Sequence, residues 1–184
     1  MKKRGATGPS FDTIVLFGAN SSLPHGVPGD ALLKQGDIVL IDMGARLNGY
    51  CSDLTRTYVF GSIPGEWFEE IYALNLHAQR SALKAVRPGV TGREVEAVAR
   101  EIMREGGLGD RFGHGLGHGV GIEVHEEPRL NTRSDSVLKA GMVVTVEPGI
   151  YLPGQGGVRI EDLVLVTESG CEVLTKLPKD LQVI

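Results

Sequence analysis

Two carboxylates on a short hairpin are the first residues in this chain that could do chemistry. In the stretch from Gly36 to Thr57, GDIVLIDMGARLNGYCSDLTRT, an apolar run (Ile38, Val39, Leu40, Ile41) ends on Asp42. An Asn48-Gly49 pair then signals a tight turn, and a second extended segment carries Asp53. With Asn48 and Gly49 as the central turn residues, Leu47 faces Tyr50 and Gly44 faces Asp53. Side chains alternate along a strand, so Asp42 shares a face with Asp53, diagonal to it and within about 8 Å at the backbone. Two acids so placed can hold a divalent metal ion or a metal pair; two lone aspartates could equally be solvated edge residues.

An internal repeat weighs against the solvated reading. Leu33 to Gly44 (LKQGDIVLIDMG) is matched at a constant offset by Leu138 to Gly149 (LKAGMVVTVEPG), and the acid that ends the first strand, Asp42, is matched by Glu147. Beyond it, Glu161 follows Glu147 across a Gly-rich connection as Asp53 follows Asp42. Two similar half-units each present a strand-end carboxylate and a second carboxylate on the next strand. Between them lies GHGLGHGVGIEVH, with His114, His118 and His125. Glycine on both sides of His118 excludes a stable helix, and with it the helical HExxH zinc-protease geometry. The pattern fits one imidazole ligand plus polar residues lining a cleft.

The elements that must position these groups follow from periodicity. Phe11 to Phe17 reads as a strand, Asn20 to Asp30 as a loop containing His25, and the hairpin continues through Tyr58, Val59 and Phe60. Glu66 to Val86 is helical, with Phe68, Ile71, Leu74, Ala78, Ala82 and Ala85 at spacings of three and four. A second helix starts at Thr91 with Glu94 three residues later, a capping box, and buries Val95, Val98, Ala99 and Ile102. A charged loop follows the Gly/His segment, then strands at Met142 to Glu147, Val158 to Val166 and about Glu172 to Leu174. Tyr50 and Tyr151 read as packing residues. The fold class is α+β, with helices on one side of a largely antiparallel sheet.

Composition narrows the functional class. The 184 residues suit one domain spanning the whole chain, and 41% hydrophobic with 23% charged residues is ordinary for a globular protein. A net charge of -4 gives no reason to expect a nucleic-acid or anionic-membrane partner. No apolar run approaches the ~20 residues of a membrane span, and the expected location is the cytoplasm. Cys51 and Cys171 are too few and isolated for a disulfide framework and read as core-side residues. The helices of residues 66 to 105 precede the second half-unit, and their counterparts for the first would lie before residue 1. The reading is therefore an N-terminally truncated chain, Met1 to Gly5 being the frayed end of a lost helix, with one sheet face left apolar and exposed.

The motifs GPSFDTIV, LPHGVP, VLIDMGA, GYCSDLTRT, GHGLGHGVGIEVHE, VEPGIY and GGVRIEDLVLVTE, in this order over residues 9 to 178, resemble the metallopeptidases of the pita-bread fold. That family holds methionine aminopeptidases, Xaa-Pro aminopeptidases and prolidases. HGVGIEVHE and GGVRIEDLVLVT resemble the proline-peptidase branch. The resemblance implies a pseudo-two-fold pita-bread domain binding two divalent ions (Mn²⁺, Co²⁺ or Zn²⁺) through Asp42, Asp53, His118, Glu147 and Glu161. It implies Glu147 as proton acceptor, and His125 and His25 as stabilisers of the tetrahedral intermediate or helpers of the leaving nitrogen. His114 and Arg159 would contact a peptide substrate, Arg159 being alternatively a structural partner of Asp42 or Glu161. The implied activity is hydrolysis of bonds to proline at the N-terminus of dipeptides or longer peptides. Methionine aminopeptidase and an inactive peptide-binding module are the alternatives. Proline peptidases usually carry an additional N-terminal domain, and the full-length form is expected to be a homodimer.

Overall fold

The computed structural model describes residues 1–184. The first half-unit comprises β1 (Gly8–Pro9), β2 (Ile14–Phe17), β3 (Ile38–Asp42), β4 (Ala45–Leu47), β5 (Tyr50–Cys51) and β6 (Thr55–Val59). Two helices follow, α1 (Glu66–Ala85) and α2 (Gly92–Glu105). The second half-unit holds β7 (Gly117–Gly119), β8 (Glu126–Leu130), β9 (Val143–Val146), β10 (Gly149–Leu152), β11 (Gly156–Arg159), β12 (Asp162–Val166) and β13 (Cys171–Val173). The strands form a three-stranded sheet β2-β3-β6, a five-stranded sheet β13-β12-β9-β7-β8, and the small ribbons β1-β4-β5 and β10-β11. All of these pairings are antiparallel.

The opening hairpin has the expected register. Leu47 pairs with Tyr50 around Asn48 and Gly49, which both have positive φ (52° and 86°), the backbone of a hairpin turn whose twist matches its strands. The same register continues through the Met43 N–H to Leu54 carbonyl bond to Asp42 opposite Thr55 and Ile38 opposite Val59. Between these ladders Gly44 sits against Ser10 and the Ser52 carbonyl, where a Cβ would collide. The hairpin therefore bends there, dividing one long ladder into two short ones.

Helix α1 buries Phe68, Ile71, Ala78 and Ala82 as its spacing predicts, and adds Tyr72, Asn75, Gln79 and Leu83 on the same side. Thr91 caps α2: its hydroxyl accepts from the Glu94 N–H while the Glu94 carboxylate accepts from the Thr91 N–H at 2.7 Å. The inward face of α2 carries Val95, Ala99 and Met103, with Val98 and Ile102 only half-buried. These side chains and those of β9, β11 and β12 form one core cluster that includes Ile38 and Val59 from the first half-unit.

Several expectations are corrected. The strand expected over Phe11 to Phe17 is β2 and starts at Ile14. The charged loop after the Gly/His segment contains β8, because β7, paired with β9 on one side, leaves its other edge for it. The strand read over Val158 to Val166 is broken at Ile160 and Glu161, and β11 turns back on β10 across a Gly-rich loop instead. Tyr50 does not pack; it stands at the hairpin tip, 62% exposed. On the first sheet the expected apolar face is partly exposed. Ile38, Val39, Leu40 and Leu16 are buried, while the outward Val15, Phe17, Ile41 and Tyr58 are half-buried. The most exposed apolar residues lie elsewhere, among them Val27 and Leu32 in the loop after β2. Cys51 is buried and Cys171 half-buried.

Replacing Thr91 by Ala removes the cap and is expected to cost about 1 kcal/mol. Phe68→Ala empties a fully buried site and is expected to cost about 3–5 kcal/mol. Urea unfolding of both variants checks the order: equal losses would contradict the assignment of Phe68 to the core.

Candidate metal centre

A cavity of about 280 Å³ opens where the two half-units meet, lined by Asp42, Asp53, His118, Glu147, His25, His114, His125 and Arg159 among others. Asp42 reaches it from the last residue of β3 and Asp53 from the segment between β5 and β6. His118 is the middle residue of β7; a Cβ at Gly117 or Gly119 would strike the Thr145 or Glu127 carbonyl, so only glycine lets β7 lie this close to its neighbours. Glu147 follows β9 directly. Glu161, 1% exposed, occupies the break between β11 and β12. Its carboxylate, that of Asp53 and a His118 ring nitrogen offer ligand atoms all within 4.8 Å of one another.

Around these groups the hydrogen bonds are directional. The His118 ring nitrogen Nδ1 lies 3.0 Å from the Gly119 carbonyl, which can only accept, so Nδ1 carries a proton. Its other nitrogen, Nε2, is thereby aimed at Glu147 (3.2 Å) and Asp53 (3.7 Å). Thr145 links the same pair, accepting from the His118 N–H at 3.0 Å and donating to Glu147 Oε1 at 2.9 Å. On the opposite wall Arg159 donates to Asp42 Oδ2 (2.6 Å), to the Tyr151 hydroxyl (3.0 Å), to the Pro24 carbonyl (3.0 Å) and to Thr55 Oγ1 (3.1 Å). Thr55 in turn donates to Glu161 Oε2 at 2.7 Å, so Arg159 and Thr55 connect an acid of the first half-unit to one of the second.

Two buried oxygens, Asp42 Oδ1 and Glu161 Oε1, have no hydrogen-bond partner. A buried carboxylate oxygen left bare is costly, and a cation is the partner that its charge calls for. The donor set is hard oxygen plus one imidazole held in a fixed tautomer by a backbone carbonyl, which is how metal-binding histidines are oriented. The residues present therefore fit a divalent metal centre.

Electrostatics reflect the crowding. Burial, then the charges of Asp42 and Glu147, push the Asp53 pKa up to about 8. Burial also raises Asp42, against the pull of Arg159, and raises Glu161 well above the carboxylate range. Glu147 is the exception. Burial is the largest influence and opposes its charge, but the hydrogen bond and charge of His118, together with the charges of His114 and Arg159, outweigh it and lower its pKa, while His118 is raised in return. Burial lowers His114 and His125.

His25 and His125 are exposed at the cavity rim, the His125 ring centroid 4.3 Å from that of His118. His114 bonds through Nε2 to the Tyr151 hydroxyl at 2.9 Å, and its Nδ1 donates to the Gly115 carbonyl. Tyr151, Thr55 and Thr145 are organisers that the sequence reading missed, and Phe11, Ile14, Arg129 and Asn131 are cavity-lining residues that it also missed. Thr55 and Thr145 could have been sought as hydroxyls on the strands that carry the acids; nothing local marks Asn131.

In the metal-free protein the unfolded chain gives up the Asp53 proton near its ordinary pKa, whereas the folded chain keeps it to about pH 8. Over that interval the unfolded state binds fewer protons, so stability falls as pH rises from about 4 to 8. Asp53→Asn is expected to flatten that fall and to raise the melting temperature of metal-free protein at pH 8. A melting temperature at pH 8 no higher than that of the parent would contradict the crowded-acid description.

Residues 1–168 match the model of metallopeptidase family M24. The chain is 54% identical over 181 residues to the Xaa-Pro dipeptidase of Pyrococcus furiosus, covering 98% of this chain and 52% of that protein. It superimposes on the Xaa-Pro dipeptidase from Bacillus anthracis with a TM-score of 0.97 at 51% identity, covering 100% of this chain and 51% of the other. With the X-Pro aminopeptidase from Thermotoga maritima the TM-score is 0.96 at 49% identity, covering 100% and 52%. The chain spans about half the length of the curated relatives it matches. Its two strand-end-acid half-units and their shared cavity are the pita-bread fold, and the chain belongs to metallopeptidase family M24.

Proposed function

We propose that this chain is the catalytic portion of a dinuclear metal-dependent exopeptidase that hydrolyses the bond between an N-terminal residue and proline, in dipeptides or in Xaa-Pro-Yaa peptides. The observation that carries this reading is the convergence of Asp42, Asp53, Glu147 and His118 on one cavity, with Glu161 within ligand reach of Asp53 and His118 and two carboxylate oxygens buried and unpartnered. Asp42, Asp53, His118, Glu147 and Glu161 would hold the two ions. Hard oxygen donors with one imidazole suit Mn²⁺, Co²⁺ or Zn²⁺, with Mn²⁺ the first to test. Bound there, such ions supply Lewis acidity toward the scissile carbonyl and bring a water nearer to ionisation at neutral pH.

The protein's own groups divide the remaining work. Glu147 is held ionised by His118 and so is able to accept the proton of the attacking water. His125 and His25 line the cavity at its rim, and in this reading they would donate to the developing oxyanion or to the departing proline nitrogen. His114 lines the substrate cavity in the tautomer set by Gly115. Arg159 spends its donors on Asp42, Tyr151, Thr55 and Pro24, which favours holding Asp42 in place over gripping substrate. A reducing compartment such as the cytoplasm suits the two unpaired cysteines, and no helix is long and apolar enough to cross a membrane.

Xaa-Pro and Xaa-Pro-Yaa peptides are expected to be cleaved in the presence of Mn²⁺ and spared after chelation, with a Met-Ala-Ser peptide turned over poorly. Preference for the methionine peptide would move the assignment to methionine aminopeptidase, and metal binding without turnover of any peptide would reduce the chain to a binding module. Asp53→Ala is expected to lose at least one bound ion per chain by metal analysis. Unchanged stoichiometry would refute its assignment as a ligand.

A further inference from the structure

Behind Glu161, on the side away from the cavity, lies a buried ionic network that the proposed chemistry does not use. Arg56, 2% exposed, follows Thr55 on β6. Its Nη1 donates to the Glu161 carbonyl and to the Thr55 carbonyl (2.9 Å), and its Nη2 to Asp162 Oδ1 (2.8 Å). The other partners of this guanidinium come from the C-terminal segment: Nε donates to the Pro178 carbonyl (2.9 Å) and Nη2 to the Leu177 carbonyl (2.8 Å). Asp162, 0% exposed, takes its remaining bonds from Gln79 of α1 (2.9 Å) and Lys179 (2.6 Å). The Lys179 carbonyl accepts from the Tyr72 hydroxyl at 2.9 Å. Every donor of the arginine and both oxygens of the aspartate are engaged, which a buried pair needs if its desolvation is to be offset.

Glu161 is held by this neighbourhood through its backbone as well as its carboxylate. It sits in the gap between β11 and β12, outside either ladder. Its N–H donates to the Thr55 carbonyl (3.1 Å), its own carbonyl accepts from Arg56, and its carboxylate accepts from the Thr55 hydroxyl. Its backbone is thus clamped by residues 55 and 56, and Arg56 is in turn aimed by carbonyls of Leu177 and Pro178, which lie beyond the family match at residue 168.

We propose that the C-terminal segment Leu177–Lys179, acting through Arg56 and Asp162, is a positioning element for Glu161, so that the metal affinity of the centre depends on residues outside the family match. This rests on the reading of Glu161 as a metal ligand. Groups that orient a ligand from behind typically change metal affinity about 10–100-fold when removed. Without the segment, two donors of Arg56 face nothing, and the guanidinium no longer holds the Glu161 carbonyl from a fixed position.

Three proteins test this against the parent: Arg56→Lys, which keeps the charge but not the fork; a chain ending at Thr175; and Arg80→Ala. The last breaks only the exposed pair between α1 and Asp180 on the same tail. Mn²⁺ affinity is measured by titration calorimetry, the ligand field by Co²⁺ absorption, and stability by the melting temperature of metal-free protein. Arg56→Lys and the shortened chain are expected to bind Mn²⁺ about tenfold or more weakly and to shift the Co²⁺ bands, while Arg80→Ala matches the parent. A lower melting temperature with unchanged Mn²⁺ affinity and Co²⁺ spectrum would overturn the proposal and leave the network a structural staple. Should the shortened chain not fold, Lys179→Met takes its place, with a smaller loss expected and parental affinity overturning the proposal. A parent that binds neither metal would refute the centre itself, a result distinct from normal binding with indifferent variants.

Discussion

Like charges at close range set the terms for this structure. Asp42, Asp53, Glu147 and Glu161 converge with little water to screen them, and three of the four have raised pKa values, burial being the largest cause in each case. Left to themselves such groups would part or take up protons. What keeps them together is a frame whose rigidity comes from elsewhere: the ladders of β3 with β6 and β9 with β12, and the core of α1 and α2 beneath them. The energy needed to crowd the acids is supplied by burying apolar side chains at a distance from the cavity.

The two half-units solve this differently despite their repeated sequence. In the second, continuing the ladder of Asp162 with Val146 brings Glu147 opposite Glu161. In the first, Asp42 lies opposite Thr55, and Asp53 falls opposite Gly44 where the hairpin bends. Thr55 therefore occupies the position where strict symmetry would put an acid. Its hydroxyl accepts from Arg159 and donates to Glu161, converting a potential repulsion into a link between halves.

His118 and Arg159 are the counterweights. The imidazole lowers the pKa of Glu147 and is itself raised, so each favours the charged form of the other, whereas Arg159 compensates Asp42. This division separates a carboxylate held ionised from its raised neighbours. Environment, not residue type, distinguishes acids that are chemically alike.

Much of this was legible in the chain order. The Asn48-Gly49 turn determined the hairpin register, because two positive φ values admit few residue types, and the repeat identified Glu147 and Glu161 as counterparts of Asp42 and Asp53. The capping box at Thr91 and the three-and-four spacing of α1 marked the helices, since local hydrogen bonding and one-sided burial act over a few residues. The sequence by itself thus determined the acids, the helices and the family pattern. Only the tertiary structure decided the break at Glu161, the engagement of Arg159 by Asp42, and the bridging roles of Thr55, Tyr151 and Thr145. It also decided that carbonyls of Leu177 and Pro178 complete Arg56, more than a hundred residues away in the chain. Those facts depend on which polar atoms meet once distant strands are packed, and no periodicity along the chain encodes such meetings.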